Sequence, residues 1–173
     1  DLMNKNSDQI IKLAQEVLHI ESEEILNASK KISSHFTEAV NEILNCSGRI
    51  VVSGMGKSGH IARKIASTFA STGTPSFFMH PGEASHGDLG MITKNDIVIF
   101  FSNSGQSEEL ISIFPTIKRI GAKIIGISGN ANSELAIQSD IHISAAVTKE
   151  ACPLGLAPTA SSSVSLALGD ALA

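Results

Sequence analysis

The stretch RIVVSGMGKSGH, residues 49–60, joins an apolar run to a glycine-rich turn and decides the fold. RIVVS is typical of a buried β-strand, and the residues after the turn have the apolar spacing of a helix. The turn matches G-x-G-x-x-G through Gly54, Gly56 and Gly59, and it also contains the G-K-S that closes a nucleotide-binding P-loop. Both motifs place backbone N–H groups against an anion at the start of a helix.

Neither nucleotide motif is complete. A P-loop that ends at residues 56–58 requires glycine at position 51, where Val51 lies inside the strand. A dinucleotide fold requires an acidic residue at the end of the second strand, but His80 and Pro81 are found there and Glu83 comes too late. An NAD(P)-dependent oxidoreductase therefore stays a weaker alternative. The element that both motifs share is a phosphate-binding turn, to which Ser58 adds a hydroxyl.

Short apolar strands alternate with helical patterns from Gly48 onward. Strands are predicted at residues 50–52, 76–79, 97–101, 124–127 and 141–143, whereas residues 1–47 have apolar residues at helical spacing. This order predicts an α/β fold: a three-layer sandwich in which a mostly parallel five-stranded sheet is flanked by helices, of the flavodoxin or Rossmann type. We expect one domain over residues 1–173, with N-terminal helices in 1–47 and the α/β core in 48–173.

Composition narrows the class of function. The net charge of −4 gives no basic surface for nucleic acid or anionic membrane, and no apolar run is long enough to span a bilayer. Two distant cysteines, Cys46 and Cys152, form neither a disulfide framework nor a zinc motif, which favours a reducing, cytoplasmic compartment.

A second polar loop follows the apolar run at 97–101, in the sequence FFSNSGQSEEL, residues 100–110. The hydroxyls of Ser102, Ser104 and Ser107, with Asn103 between them, precede the first turn of a predicted helix. One serine suffices to cap a helix, so three favour a phosphate monoester bound by hydroxyls and free N–H groups. Two such loops at the carboxyl ends of strands in one sheet predict a crevice for a sugar phosphate.

Three segments carry a family resemblance: residues 53–92, SNSGQSEEL (102–110) and KEACPLGLAPT (149–159). From about residue 10 to the end, the chain resembles the sugar isomerase (SIS) domain of the arabinose 5-phosphate isomerase family. The resemblance implies an SIS fold and the interconversion of ribulose 5-phosphate and arabinose 5-phosphate through an enediol, early in Kdo and lipopolysaccharide biosynthesis. It also implies no required cofactor and a homo-oligomer, dimer or tetramer, with shared active sites.

The resemblance also implies roles for individual residues. The family's catalytic positions fall on Lys57, Glu109 and Glu150, and its substrate contacts fall on Gly73, Thr74, His80, His86, residues 112–121, Ala146, Val147 and Thr148. The position of His80 binds zinc in the family, although zinc is not required. The family has a further histidine in a SHPGG segment, and tandem CBS domains, downstream of the last residue here. We therefore expect a truncated C-terminal end and an isolated chain that lacks part of the machinery.

Elementary chemistry suggests how these groups act. Glu150 lies beside apolar Ala151, Cys152 and Pro153, so burial is expected to raise its pKa and suit it to act as a base. Lys57 at a helix start opposes the helix dipole and therefore requires an anion nearby. We expect Glu109 to pair with Lys57 or to contact sugar hydroxyls, and His80 and His86 to bind hydroxyls or form a partial metal site.

Two other functions stay open. A sugar-phosphate-sensing SIS module without catalysis would use the same loops, although the 47 residues before the sheet are too few and not basic enough for a DNA-binding domain. An isomerase of another sugar phosphate would require only a different set of contacts to the sugar.

Overall fold

A computed structural model describes residues 6–173 and contains one five-stranded parallel sheet in the order β2-β1-β3-β4-β5. This is the flavodoxin-like order, which reverses direction between β1 and β3. The predicted fold class and all five predicted strands are confirmed, and the bounds are β1 Ile50–Gly54, β2 Ser76–Met79, β3 Ile97–Phe101, β4 Lys123–Ser128 and β5 Ile141–Ser144.

Seven α-helices of the described residues surround the sheet. They are α1 Ser7–Lys30, α2 Ser34–Leu44, α3 Gly56–Ser71, α4 Pro81–Ala84, α5 Glu108–Ile120, α6 Glu134–Gln138 and α7 Ala160–Leu172. A 3₁₀-helix covers Asp88–Met91. The sequence did not predict α4, α6 or the 3₁₀-helix, because elements of four or five residues are too short to show a helical period. None of the helices in residues 6–173 combines the length and apolar content that crossing a bilayer requires.

The two faces of the sheet are both buried, which produces the three layers. On β3, Ile97, Ile99 and Phe101 pack toward one side with α2, α3 and α7. Val98 and Phe100 pack toward the other side, where they meet Phe114 and its neighbours on α5. Side chains alternate across a strand, so a strand buried on both faces must be apolar throughout, as the run IVIFF is.

The glycines of the first turn have distinct structural roles. A Cβ on Gly54 would lie 2.8 Å from the carbonyl oxygen of Ser58, and one on Gly59 would lie 2.7 Å from the carbonyl oxygen of Gly54. Strand and helix thus approach too closely for any side chain. Gly56 has φ +57°, in the left-handed region that favours glycine. The G-x-G-x-x-G spacing therefore follows from the backbone geometry of the turn and requires no nucleotide.

Replacing Gly59 by alanine tests this close approach. Gly→Ala inside a helix ordinarily stabilises a protein by about 0.5–1 kcal/mol. Because a Cβ here would meet backbone 2.7 Å away, we expect Gly59→Ala instead to lower the free energy of unfolding by about 1–3 kcal/mol, measured by urea denaturation. Gly90→Ala is the control, since a Cβ there meets nothing within 4 Å. A stabilised Gly59→Ala variant would contradict the geometry.

Candidate functional site at the carboxyl edge of the sheet

A cleft of about 340 Å³ opens where β1 and β3 end and their order reverses. Its lining contains one cation and several hydroxyls but no carboxylate, and comprises Met55, Lys57, Ser58, Ile61, Asn103, Pro158, Ser161, Ser162 and Ser165. Such a crevice is the usual ligand position in open α/β sheets. The structure thus brings Lys57, Ser58 and Asn103, from two different loops, together at one crevice.

A cleft of larger volume lies at the opposite edge of the sheet. A cleft of about 500 Å³ lies at the amino edge of the sheet, between α2 and the start of β4 and β5. Glu38, Glu42 and Asp140 line it, with Lys123 paired to Glu42 at 2.6 Å. Three carboxylates repel a phosphate, so the smaller cleft at the carboxyl edge is the one whose chemistry suits an anion.

The helix N-termini around the cleft differ from the others in their capping. Asn6, Ser33, His80 and Ser133 cap α1, α2, α4 and α6 through their side chains. The N-cap residues of α3, α5 and α7, which are Met55, Ser107 and Thr159, make no such hydrogen bond. Carboxylates bond N–H groups at two of these starts, Glu109 on α5 and Glu150 on α7. The start of α3 leaves N–H donors and a partial positive charge for an anion. All three of these helices start at the carboxyl edge, where the ligand is expected.

The serine loop folds on itself before α5. Ser102 Oγ accepts from the N–H of Gly105 at 3.0 Å, and Ser104 Oγ accepts from the N–H of Gln106 at 3.2 Å. Each of these hydroxyls therefore keeps its own proton to donate to a ligand. Ser107 instead donates to the carboxylate of Glu109 at 3.0 Å. The loop joins the cleft through Asn103, whose carbonyl oxygen also accepts from the N–H of Gly129.

The structure corrects the predicted pairing of Lys57 with Glu109. Lys57 is exposed, and the ion pairs among residues 6–173 are His19–Glu23, Lys64–Asp170 and Lys123–Glu42. Glu109 lies on the N-terminus of α5, where its own backbone N–H and the Ser107 hydroxyl lower its pKa, with a smaller contribution from the charge of His80. The carboxylate bonds these donors because both lie within two residues of it along the chain. Lys57 thus pairs with no carboxylate among the described residues.

The pKa expected for Glu150 is also corrected. Burial does raise the pKa of this carboxyl, as predicted, but hydrogen bonds from Ser161 and Thr159 together outweigh it and leave the pKa below 4.5. Glu150 Oε2 accepts from the N–H of Thr159 at 2.7 Å, from its hydroxyl at 3.0 Å and from the N–H of Ser161 at 3.3 Å. Sequence reasoning counted the apolar neighbours at 151–153 and did not foresee that the start of α7 lies beside Glu150 and supplies donors.

Glu150 lies in the wall between two clefts. Its side chain lines a second cleft of about 340 Å³ with Val17 and Ile20 of α1. Its bond to the Ser161 N–H connects it to the first cleft, which Ser161 lines. The carboxylate therefore does not line the cleft that contains Lys57, but it is hydrogen-bonded to a residue that does.

A buried carboxylate on α1 fixes the loop after β5. Glu24 is 2 % exposed and accepts from both the N–H and the hydroxyl of Thr148. Burial raises the pKa of Glu24, but these bonds, a backbone N–H of Lys149 and the charge of Lys31 outweigh it and lower the pKa. Thr148 is the last residue of the predicted substrate-binding segment, residues 146–148. Sequence reasoning missed Glu24, which looks like any other carboxylate of a charged helix.

The remaining predicted residues lie on either side of β2: His80 and His86 follow this strand, and Gly73 and Thr74 precede it. His80 caps α4 by accepting from the N–H of Gly82 at 3.1 Å through Nδ1, and His86 is exposed beyond α4. Gly73 and Thr74 precede β2, at the amino edge, so a contact from them to substrate would require a neighbouring copy of the chain. Within residues 6–173, no three His, Cys, Asp or Glu side chains are grouped to hold a metal ion, so zinc at His80 stays a prediction.

Ser161 is a cleft residue that sequence reasoning missed. It is 2 % exposed, and its hydroxyl has no hydrogen-bond partner among the described residues. The hydroxyl lies near enough to Glu150 to lower the pKa of that carboxyl, although without hydrogen-bond geometry. The signal in the sequence was SSSVS, residues 161–165, in which Ser161 and Ser165 are four apart on one helix face.

Fold and site together define an SIS domain: the SIS family model matches residues 43–173, and the chain belongs to this family. The relatives are more specific. Arabinose 5-phosphate isomerase KdsD of Salmonella typhi is 55% identical over 159 residues, which are 92% of this chain. The KdsD protein of Pseudomonas aeruginosa is 50% identical over 171 residues, or 99% of this chain. The chain spans about half the length of these relatives, 48% and 52% respectively.

A solved structure matches almost the whole chain. It is that of Escherichia coli CFT073 c3406 in complex with arabinose 5-phosphate, with a TM-score of 0.93 and 43% identity over 97% of this chain and 89% of the other. The resemblance on which the sequence analysis relied is therefore confirmed, and the dinucleotide alternative is excluded at the level of family.

Glu150 makes stability depend on pH in a predictable direction. Its carboxylate form is hydrogen-bonded in the fold, so the stability it contributes is present above its ordinary pKa of 4.5 and is lost as pH falls through the lower pKa of the folded state. We expect Glu150→Gln to lower the free energy of unfolding at pH 7, and its difference from the unmodified chain to shrink below pH 4.5. Urea denaturation across this range measures it, and a constant difference would contradict the hydrogen-bonded carboxylate.

Glu24 gives a second test, of the link between α1 and the loop after β5. Glu24→Ala leaves the N–H and hydroxyl of Thr148 without their acceptor. We expect a loss of about 1–3 kcal/mol in the free energy of unfolding, with a smaller loss for Glu24→Gln, which keeps one acceptor oxygen. Glu23→Ala, which removes an exposed carboxylate one position away, should change stability by less than about 0.5 kcal/mol. Equal effects of Glu24→Ala and Glu23→Ala would refute the link.

Proposed function

We propose that the protein to which this chain belongs is an arabinose 5-phosphate isomerase, an aldose–ketose isomerase that interconverts arabinose 5-phosphate and ribulose 5-phosphate. The identity of 50–55% to KdsD proteins over almost the whole chain supports this substrate. One observation of the structure carries the reading: the start of α3, which has no side-chain cap, and Lys57, which pairs with no carboxylate among the described residues, line a cleft without carboxylates. Such a cleft suits an anion rich in oxygen atoms.

The phosphate is proposed to bind at the serine loop and the first turn of α5. Ser102 and Ser104 keep their hydroxyl protons, since their oxygens already accept backbone N–H bonds. The sugar then extends along Asn103 into the cleft beside Lys57 and Ser58. Glu109, which lies at the same helix end, is proposed to face the sugar hydroxyls together with His80, whose charge already acts on its carboxyl.

The reaction moves a proton between C1 and C2 through an enediol. One base must reach both carbons, and a donor must stabilise the oxygen that becomes negative. Glu150 is the proposed base: its carboxylate is ionised at neutral pH because hydrogen bonds lower its pKa. Lys57 supplies the nearby positive charge. Lys57 lies in the first turn of α3, and Glu150 is hydrogen-bonded to Thr159 and Ser161 at the start of α7.

The pathway, the compartment and the oligomeric state are proposed on the same basis. A role early in Kdo and lipopolysaccharide biosynthesis, and a cytoplasmic location, are proposed with the reaction. A homo-oligomer, dimer or tetramer, is proposed because α1 carries exposed apolar side chains, Ile10, Ile11, Leu18 and Leu26. A neighbouring copy is also proposed to bring Gly73 and Thr74, which precede β2 at the amino edge, toward this site.

The test is turnover by the full-length protein. We expect conversion of arabinose 5-phosphate to ribulose 5-phosphate, and a loss of about 10²-fold or more in kcat/KM for Lys57→Ala, because a preorganised charge at the reacting centre is removed. Lys64→Ala is the matched control, since Lys64 is an exposed lysine of the same helix that pairs with Asp170. Binding of arabinose 5-phosphate without turnover would instead favour a sensor, and turnover of a different sugar phosphate would change the substrate.

A further inference from the structure

The hydroxyl of Ser161 is the unexplained polar group of the cleft. It is buried at 2 % exposure and has no hydrogen-bond partner among residues 6–173. Buried hydroxyls are normally paired, because an unpaired one has lost its water without replacement. Ser161 lines the cleft that contains Lys57 and Ser58, so a ligand in that cleft is the candidate for the missing partner.

The surroundings of Ser161 specify what the ligand atom must be. Ser161 lies in the first turn of α7, a helix of 13 residues with no side-chain cap and no acidic residue in that turn. The positive potential of this helix end is partly offset by the Glu150 carboxylate, which accepts from the Ser161 N–H. Lys57 on α3 adds a full positive charge from another side of the cleft. An oxygen with negative charge is favoured at this position over a neutral or cationic atom.

Glu150 locates the reacting carbons near Ser161. The backbone N–H of Ser161 donates to Glu150 Oε2 at 3.3 Å. A base must lie within hydrogen-bond reach of the proton it removes. If Glu150 is the base, C1 and C2 of the sugar lie at the Ser161 end of the cleft, and the phosphate lies at the other end, on the serine loop.

We propose that Ser161 is a substrate-binding catalytic residue whose hydroxyl, supported by the N-terminus of α7, donates a hydrogen bond to the carbonyl oxygen as the enediol forms. This rests on the proposed isomerase function. Starting from the aldose, the C2–H bond breaks and its proton passes to the base. The electron pair forms the C1=C2 bond, and the carbonyl pair moves to O1, where Ser161 donates. Return of the proton to C1, with transfer of the O2–H proton to O1, gives the ketose, so no other reactant is needed.

Ser161→Ala separates this role from a structural one. An interaction made in the transition state lowers kcat and kcat/KM together, by about 10–10³-fold for an oxyanion donor, with little change in KM. Because the hydroxyl has no protein partner among the described residues, the denaturation midpoint should stay the same or rise. Ser161→Cys, a weaker donor of similar shape, should recover part of the rate. Ser163→Ala, on the same helix but outside the cleft lining, should behave as the unmodified full-length protein.

The outcomes are distinguishable. Unchanged kcat in Ser161→Ala, or a change in KM alone, would overturn the assignment while leaving the isomerase function intact. A lowered denaturation midpoint would show that the hydroxyl serves the fold, most simply by bonding to Glu150, and would also overturn it. Absence of turnover in the unmodified full-length protein would refute the proposed function and this inference with it.

Discussion

The structure depends on the parallel sheet, because parallel pairing brings every strand's carboxyl end to one edge. Each strand is followed by a connection that starts a helix near this edge, so several helix N-termini converge there. In this chain α1, α2, α4 and α6 satisfy their first N–H groups with an N-cap side chain, whereas α3, α5 and α7 do not. Free N–H donors at a helix start are costly in a buried place unless water or a ligand completes them. At this edge the carboxylates of Glu109 and Glu150 bond N–H groups at the starts of α5 and α7, so the start of α3 is the one that suits an anion.

The clefts are also bounded by residues far away in sequence, which ties the N-terminal helix to the chemistry. Glu24 of α1 holds Thr148 after β5, and Val17 and Ile20 of α1 line the second cleft with Glu150. The helix α1 is therefore part of the wall around the candidate base. A deletion of this helix would disturb the site as well as any surface that it offers to another copy of the chain.

Charge distribution around the site follows a consistent rule. Carboxylates are placed on donors that keep them ionised: Glu24 on Thr148, Glu109 on Ser107 and on its own N–H, and Glu150 on Thr159 and Ser161. Burial alone would have raised the pKa of Glu24 and Glu150. The hydrogen bonds outweigh burial, so the pKa of each carboxyl is lowered and none of the three lines the cleft where an anionic substrate is expected.

The sequence by itself determined the layers and the edge of the site. Uninterrupted apolar runs predicted buried parallel strands, and the turns after β1 and β3 placed Lys57, Ser58 and Asn103 at one crevice, because those signals are local. The partner of each carboxylate could not be predicted this way. Glu24 and Thr148 are separated by 124 residues, and Glu150 meets Thr159 and Ser161 only because α7 docks beside the sheet. Hydrogen bonds act over a few ångströms whatever the separation along the chain, so the pKa directions and the unpaired Ser161 hydroxyl were decided only by the tertiary structure.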